Sequence, residues 1–175
     1  MSVWFTSDLH LGNPLNGKMG EGRTKLGCTA DEAGWNLTET INEMVPKRAK
    51  LFILGDAIDS SQGIKWAKCI RCQNIEIILG NHDKLRLSEY FAMGWKVHGF
   101  RKYRTFWLSH CPIHPHEIRN MDLNIHGHVH IFGDTPRIED PRYFCVNPEF
   151  HDFKPVSIET IDKYVENLKK QLDKK

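Results

Sequence analysis

The sequence predicts a single α/β domain on three observations. Short apolar runs alternate with longer amphipathic stretches, those stretches carry helix start and stop signals, and 175 residues with 40% hydrophobic content suit one core rather than two. The apolar runs are Val3-Trp4-Phe5, Leu51-Phe52-Ile53-Leu54, Ile75-Glu76-Ile77-Ile78-Leu79, Phe106-Trp107-Leu108 and Leu123-Asn124-Ile125. They are rich in β-branched or aromatic residues and bounded by polar or glycine positions, so they read as central strands.

Between the first two runs, Thr29-x-x-Glu32 has the form of a capping box. Leu37, Ile41, Met44 and Val45 follow at helical spacing until Pro46 ends the pattern. A second helix is expected over about 61–73 and a third after Asp83, which gives a β-α-β-α-β beginning. Trp95 to Ser109 and Tyr143 to Ile158 read as strands without long helices between them, so the second half is expected to be more antiparallel. Ile158, Ile161, Val165, Leu168 and Leu172 mark a C-terminal helix, about 157–173, with one apolar stripe expected to dock on the chain's own sheet. Residues 12–28 form a glycine-rich loop that carries Lys18, Arg23 and Lys25, long enough to expect a function of it.

Composition excludes several classes. The 24 Lys+Arg against 22 Asp+Glu give a charge of only +2, too small to predict nucleic-acid binding by itself. The N-terminus lacks a basic region before its short apolar run, and no stretch approaches the roughly 18 apolar residues of a membrane span. A soluble, cytoplasmic protein is the expectation. Five cysteines, an odd number, fit reduced thiols. Cys69-x-x-Cys72 lacks a second pair and falls in an apolar helical stretch, which favours packing over zinc. The ten histidines are what composition leaves unexplained.

Metal-ligand residue types cluster just after the strands. Asp8-Leu9-His10 follows the first, Gly55-Asp56-Ala57-Ile58-Asp59 the second, Gly80-Asn81-His82-Asp83 the third, His110 the fourth and His126-Gly127-His128-Val129-His130 the fifth. In an α/β sheet the carboxyl ends of strands are where ligands bind, so these endings can meet in one pocket. The two-residue spacing of Asp8 and His10, and of His128 and His130, would put each pair on one face of an extended backbone. Gly55, Gly80 and Gly127 would allow tight turns or close approach. Asp8, His10, Asp56, Asn81, His110, His128 and His130 make seven side chains of mixed oxygen and nitrogen donors. That is more than one ion needs, and it fits two ions such as Mn²⁺, Fe or Zn²⁺ sharing Asp56.

These motifs in this order resemble the calcineurin-like metallophosphoesterases, and within them the small stand-alone enzymes of bacteria and phages. The family pattern stands complete over residues 8–130 as Asp8-x-His10, Gly55-Asp56-x-x-Asp59, Gly80-Asn81-His82-Asp83, His110 and Gly127-His128-x-His130. The resemblance implies a two-sheet β-sandwich flanked by helices in four α/β/β/α layers, as one domain over 1–175. It implies Asp8, His10, Asp56 and His130 on one metal, and Asp56, Asn81, His110 and His128 on the other. His82 would act at the leaving group with Asp59 orienting it. The ions would be divalent, Mn²⁺ first, with Fe, Zn²⁺ or Ni²⁺ also compatible.

The function so implied is hydrolysis of a phosphate ester by attack of a metal-bound hydroxide, on a small-molecule or nucleotide mono- or diester. Asn13, Arg23, His114 and His116 are candidate substrate contacts. Ser60 stands where the phosphoprotein phosphatase branch has Arg, which argues against a phosphoprotein substrate. The runner-up is a nucleic-acid phosphodiesterase, with Lys18, Arg23 and Lys25 following a phosphate backbone. A protein-binding scaffold of the same fold comes last, because His82 and every ligand are present. Oligomeric state is not legible.

Overall fold

The computed structural model describes residues 1–15, 22–27, 29–131 and 138–172. Two sheets carry the fold. The first has strand order β4-β3-β2-β1-β9, built from β1 (Val3–Thr6), β2 (Lys50–Leu54), β3 (Asn74–Ile78), β4 (Lys96–His98) and β9 (Val156–Ser157). Its first four strands run parallel and β9 is antiparallel to β1. The second has order β5-β6-β7-β8, built from β5 (Arg101–Tyr103), β6 (Phe106–Leu108), β7 (Leu123–His126) and β8 (Tyr143–Cys145). The result is the expected α/β sandwich, two mixed sheets flanked by helices.

Alternation along β2 explains why the first sheet is buried on both faces. Leu51 and Ile53 join Ile75 and Ile77 in a core under the helices, whereas Phe52 and Leu54 join Phe5, Ile78, Phe106, Leu108 and Ile125 between the sheets. Each of these side chains is at most 3% exposed, and full burial of such a group contributes about 1.5–3 kcal/mol. The helical side of the first core is made by α1 (Ala30–Met44), α2 (Ile64–Cys69) and α3 (Leu87–Ala92), through Ile41, Ala67 and Tyr90. The capping box of α1 is present with both of its bonds. The second predicted helix is shorter than expected: a 3-10 turn at Ser61–Gly63 precedes α2, which ends at Ile70. The C-terminal helix α5 (Ile158–Leu172) docks as predicted, with Ile158, Ile161, Val165 and Leu168 in the inter-sheet core.

The expected antiparallel second half holds only in part: β5–β6 and β9–β1 are antiparallel, whereas β6–β7 and β7–β8 are parallel. The connections 109–122 and 127–142 return the chain to the same end of the sheet, as parallel pairing requires. The first of them holds only the one-turn helix α4 (Pro115–Ile118), too short to leave a periodic pattern. The run from Trp95 to Ser109 is also not one strand. It breaks at Gly99-Phe100, where the chain leaves the first sheet and enters the second.

Candidate metal centre

Every predicted ligand lies just past the carboxyl end of a strand, and both sheets deliver their ends to one rim. Asp8 and His10 follow β1, Asp56 follows β2, Asn81 follows β3, His110 follows β6, and His128 and His130 follow β7. Loop-to-loop bonds stitch the rim: Asp8 N–H to Gly55 O at 2.8 Å, His10 N–H to Asp56 O at 2.9 Å, and Gly127 N–H to His110 O at 3.0 Å.

The backbone here is not extended, which corrects the expected geometry of the two Asp/His-x-His pairs. Asp8, His10, Asp56 and His128 have φ of 50°, 47°, 51° and 69°. Non-glycine residues in this left-handed region store strain, and four of them together on one rim point to a site over-determined for function. All three expected glycines are needed for close approach, and a Cβ on Gly127 would stand 2.5 Å from Asp8 Oδ2. A Cβ on Gly55 would stand 2.2 Å from His110 Nδ1, and one on Gly80 would stand 2.2 Å from Asp56 Oδ1.

The ligands form two close groups that share Asp8. Donor atoms of Asp8, His10 and His130 all lie within 4.8 Å of one another, and so do those of Asp8, Asp56 and His110. Asp56 Oδ2 is 3.9 Å from His10 Nε2 and 3.2 Å from His110 Nε2. His110 Nε2 is 3.0 Å from Asn81 Oδ1 and 3.3 Å from His128 Nδ1. The Nε2 of buried His10 has no hydrogen-bond partner. An orphaned, buried imidazole nitrogen facing carboxylates fits a cation between them.

The charges agree with that arrangement. Burial pushes the Asp8 carboxyl up, although His130 and the Ser7 hydroxyl oppose it. Burial also acts on Asp56, but the His110 ring and the His82 N–H outweigh it and hold that carboxyl at about 2. For His110 burial favours the neutral ring, and the Asp56 carboxylate overcomes it and raises the pKa.

Behind the ligands stands a layer of carboxylates that fixes the rings. His10 Nδ1 lies 2.8 Å from Asp59 Oδ1, and Asn13 donates to Asp59 Oδ2 at 2.6 Å. Asp59 is therefore bonded to His10 rather than to His82, a ring nitrogen of which it approaches to within 4.8 Å. His130 Nδ1 lies 2.8 Å from Glu149 Oε1. Sequence reasoning missed Glu149; its signal was a buried carboxylate just after Val146-Asn147. Asp83 was missed too: its oxygens accept from the N–H groups of Asp56, Ala57, Ile58 and Gly80 and from the Tyr90 hydroxyl, binding the loop after β2 to the loop after β3.

Arg23 is corrected as a substrate contact. It is 1% exposed, and it donates to Glu149 Oε1 at 3.1 Å, to Leu9 O at 3.0 Å and to Asp8 O at 2.5 Å. Lys18 and Cys28 lie outside the described residues, and Lys25 is exposed with its amine 3.9 Å from Asp152. His114 and His116 are exposed and stacked at 5.3 Å, with His114 capping α4. His126 is buried, lies 2.7 Å from Gly127 O, and burial pushes its pKa down to about 4. Cys72 packs in the helix-side core while Cys69 is exposed, consistent with packing rather than a metal pair.

The family model of calcineurin-like phosphoesterases matches residues 1–171. The chain belongs to the calcineurin-like phosphoesterases. Its fold is similar to that of the protein of unknown function AQ665 from Aquifex aeolicus, with a TM-score of 0.67 and 22% identity over 93% of this chain and 98% of that one. No curated protein matches it. Membership supports metal-dependent phosphoester hydrolysis; the family generally uses a dinuclear metal site, and this calcineurin-like phosphoesterase carries candidate metal-holding His/Asp groups. Among the described residues no helix is long and apolar enough to cross a membrane.

Proposed function

We propose that this chain hydrolyses a small phosphate ester, using two divalent ions held by Asp8, His10, Asp56 and His130 and by Asp56, Asn81, His110 and His128. The observation that carries this reading is the buried, unpartnered Nε2 of His10 facing the Asp56 oxygen that also faces His110. When bound, the ions supply Lewis acidity and an activated water, and the mixed donors favour Mn²⁺, Fe or Zn²⁺.

The protein's own groups do the rest. Asp56 uses its two oxygens differently: Oδ1 accepts the His82 N–H at 2.7 Å while Oδ2 faces the two histidines. That bond pins the backbone of His82 at the rim. The His82 ring meets the His10 ring edge to face at 5.3 Å and is otherwise exposed, so it stands above the ligands where a departing ester oxygen can take its proton. The burial of Arg23 removes one of the three cations that a nucleic-acid backbone would need, while Lys25 stays exposed.

Calorimetric titration of metal-depleted protein with Mn²⁺, followed by a hydrolysis screen of mono- and diesters, tests the proposal. Two equivalents of ion and turnover of small esters are expected. Two bound ions with no turnover of any ester class would instead return the scaffold reading.

A further inference from the structure

Beside Asn81 and His110 the surface opens into a cleft of about 390 Å³, whose other walls are Leu79, Gly80, Gly99, Ser109 and Cys111. We propose that this cleft receives the organic half of the ester and selects an uncharged, planar aromatic group. This rests on the phosphoesterase reading and names its substrate class.

Position comes first. Two of the walls are proposed metal ligands, so a phosphoryl group held between the ions has its substituent beside this opening. The volume lies within the usual 300–1,000 Å³ of ligand pockets. Charge comes second. Among the described residues no Lys, Arg, Asp or Glu lines the cleft, so these walls offer no cation for a second phosphate and no carboxylate for an amine. Hydrogen-bonding capacity is low as well. The Ser109 hydroxyl already donates to Cys111 O at 2.7 Å and accepts from Asn124 at 2.9 Å, which leaves little for a sugar-like polyol.

An aromatic residue is the chain neighbour of the cleft wall Gly99. Phe100 follows Gly99, is 48% exposed, and stacks on Trp107 at 4.9 Å with planes 26° apart. A planar group entering the cleft can continue that stack. Gly99 leaves it room, since a Cβ there would meet nothing within 4 Å.

The test uses Mn²⁺-loaded protein and two non-hydrolysable probes that differ only in their organic half, methylphosphonate and phenylphosphonate. Binding is read as inhibition constants and as protection of Cys111 from iodoacetamide, with exposed Cys69 as the internal control. Phenylphosphonate is expected to bind about tenfold more tightly and to protect Cys111 more strongly, the size of one aromatic stacking contact. Phe100→Ala and Gly99→Trp should each cut that advantage to about twofold or less and leave methylphosphonate binding unchanged. Phe100 is exposed, so its variant carries the test if Gly99→Trp does not fold. An equal affinity for the two probes, or an advantage that survives both variants, would overturn the proposal. If neither phosphonate binds the Mn²⁺-loaded protein, the phosphoesterase reading fails first and this one falls with it.

Discussion

His130 Nδ1 sits 2.8 Å from Glu149 Oε1, and the same oxygen accepts from Arg23 Nε at 3.1 Å. The buried guanidinium also holds the carbonyls of Asp8 and Leu9, so one cation connects the first ligand loop to the carboxylate behind the last ligand. A carboxylate on the far nitrogen fixes a histidine's tautomer and orientation, and its loss typically costs about 10–100-fold in metal affinity. Glu149→Ala should therefore weaken Mn²⁺ binding at the Asp8, His10, Asp56 and His130 group by about that factor, with the second ion less affected. Two-site calorimetry checks this, and an unchanged pair of affinities would remove Glu149 from the metal centre.

What could be read in advance divides along a physical line. Strand, turn and ligand share a short stretch of chain at Val3-Trp4-Phe5 to His10 and at Leu51 to Asp56, so their placement after strands was visible in order and spacing alone. The partners that hold the ligands were not, because they pair across long separations: Glu149 with His130 and Arg23, and Asp83 with the backbone of Asp56. Nor does spacing reveal left-handed backbone at Asp8 and His10, which brings that pair together by a turn rather than by a pleat. Arg23 was misread for the same reason: a cation in a glycine-rich loop looks solvated until the Glu149 it meets is known. The parallel pairing of β6 with β7 was hidden in a crossover whose helix α4 is a single turn.

His82 touches the ligand group through its backbone and offers its ring to the rim. His82→Ala should keep both ions, since the Asp56 bond comes from the His82 N–H, which alanine retains. Turnover of an ester with an alkyl alcohol leaving group should fall by about 10²–10⁴, the usual worth of general acid help. An activated aryl ester should show a smaller loss because its leaving oxygen needs no proton. Equal losses for the two esters would mean that His82 acts by some other route.

The Asp83 carboxylate accepts four backbone N–H groups and the Tyr90 hydroxyl, so an amide in its place must turn donors toward donors. Asp83→Asn is expected to lower stability by about 1–3 kcal/mol, the cost of leaving such groups unsatisfied. Chemical denaturation of the metal-free protein measures it. Because the lost bonds hold the loop of Asp56, Mn²⁺ binding should weaken in the same variant.

Glu76 on β3 is 1% exposed and gathers Lys50 of β2 at 2.7 Å, His98 of β4 at 3.1 Å and Arg101 of β5. It ties the first sheet to the first strand of the second where the chain crosses at Gly99. Burial would push this carboxyl up, but the Lys50 bond and charge, then the Arg101 charge, outweigh it and hold the pKa below the ordinary 4.5. A carboxyl with a depressed folded pKa stabilises the protein above its unfolded value and loses that contribution as pH falls through the folded one. Glu76→Gln should therefore lower stability by about 1–3 kcal/mol at neutral pH, in line with the loss of a buried charge-assisted bond. The gap between wild type and variant should close as the pH drops below 4.5. Denaturation curves for both proteins from neutral pH into the acid range measure this gap, and one that stays constant across the range would show that Glu76 contributes by packing alone.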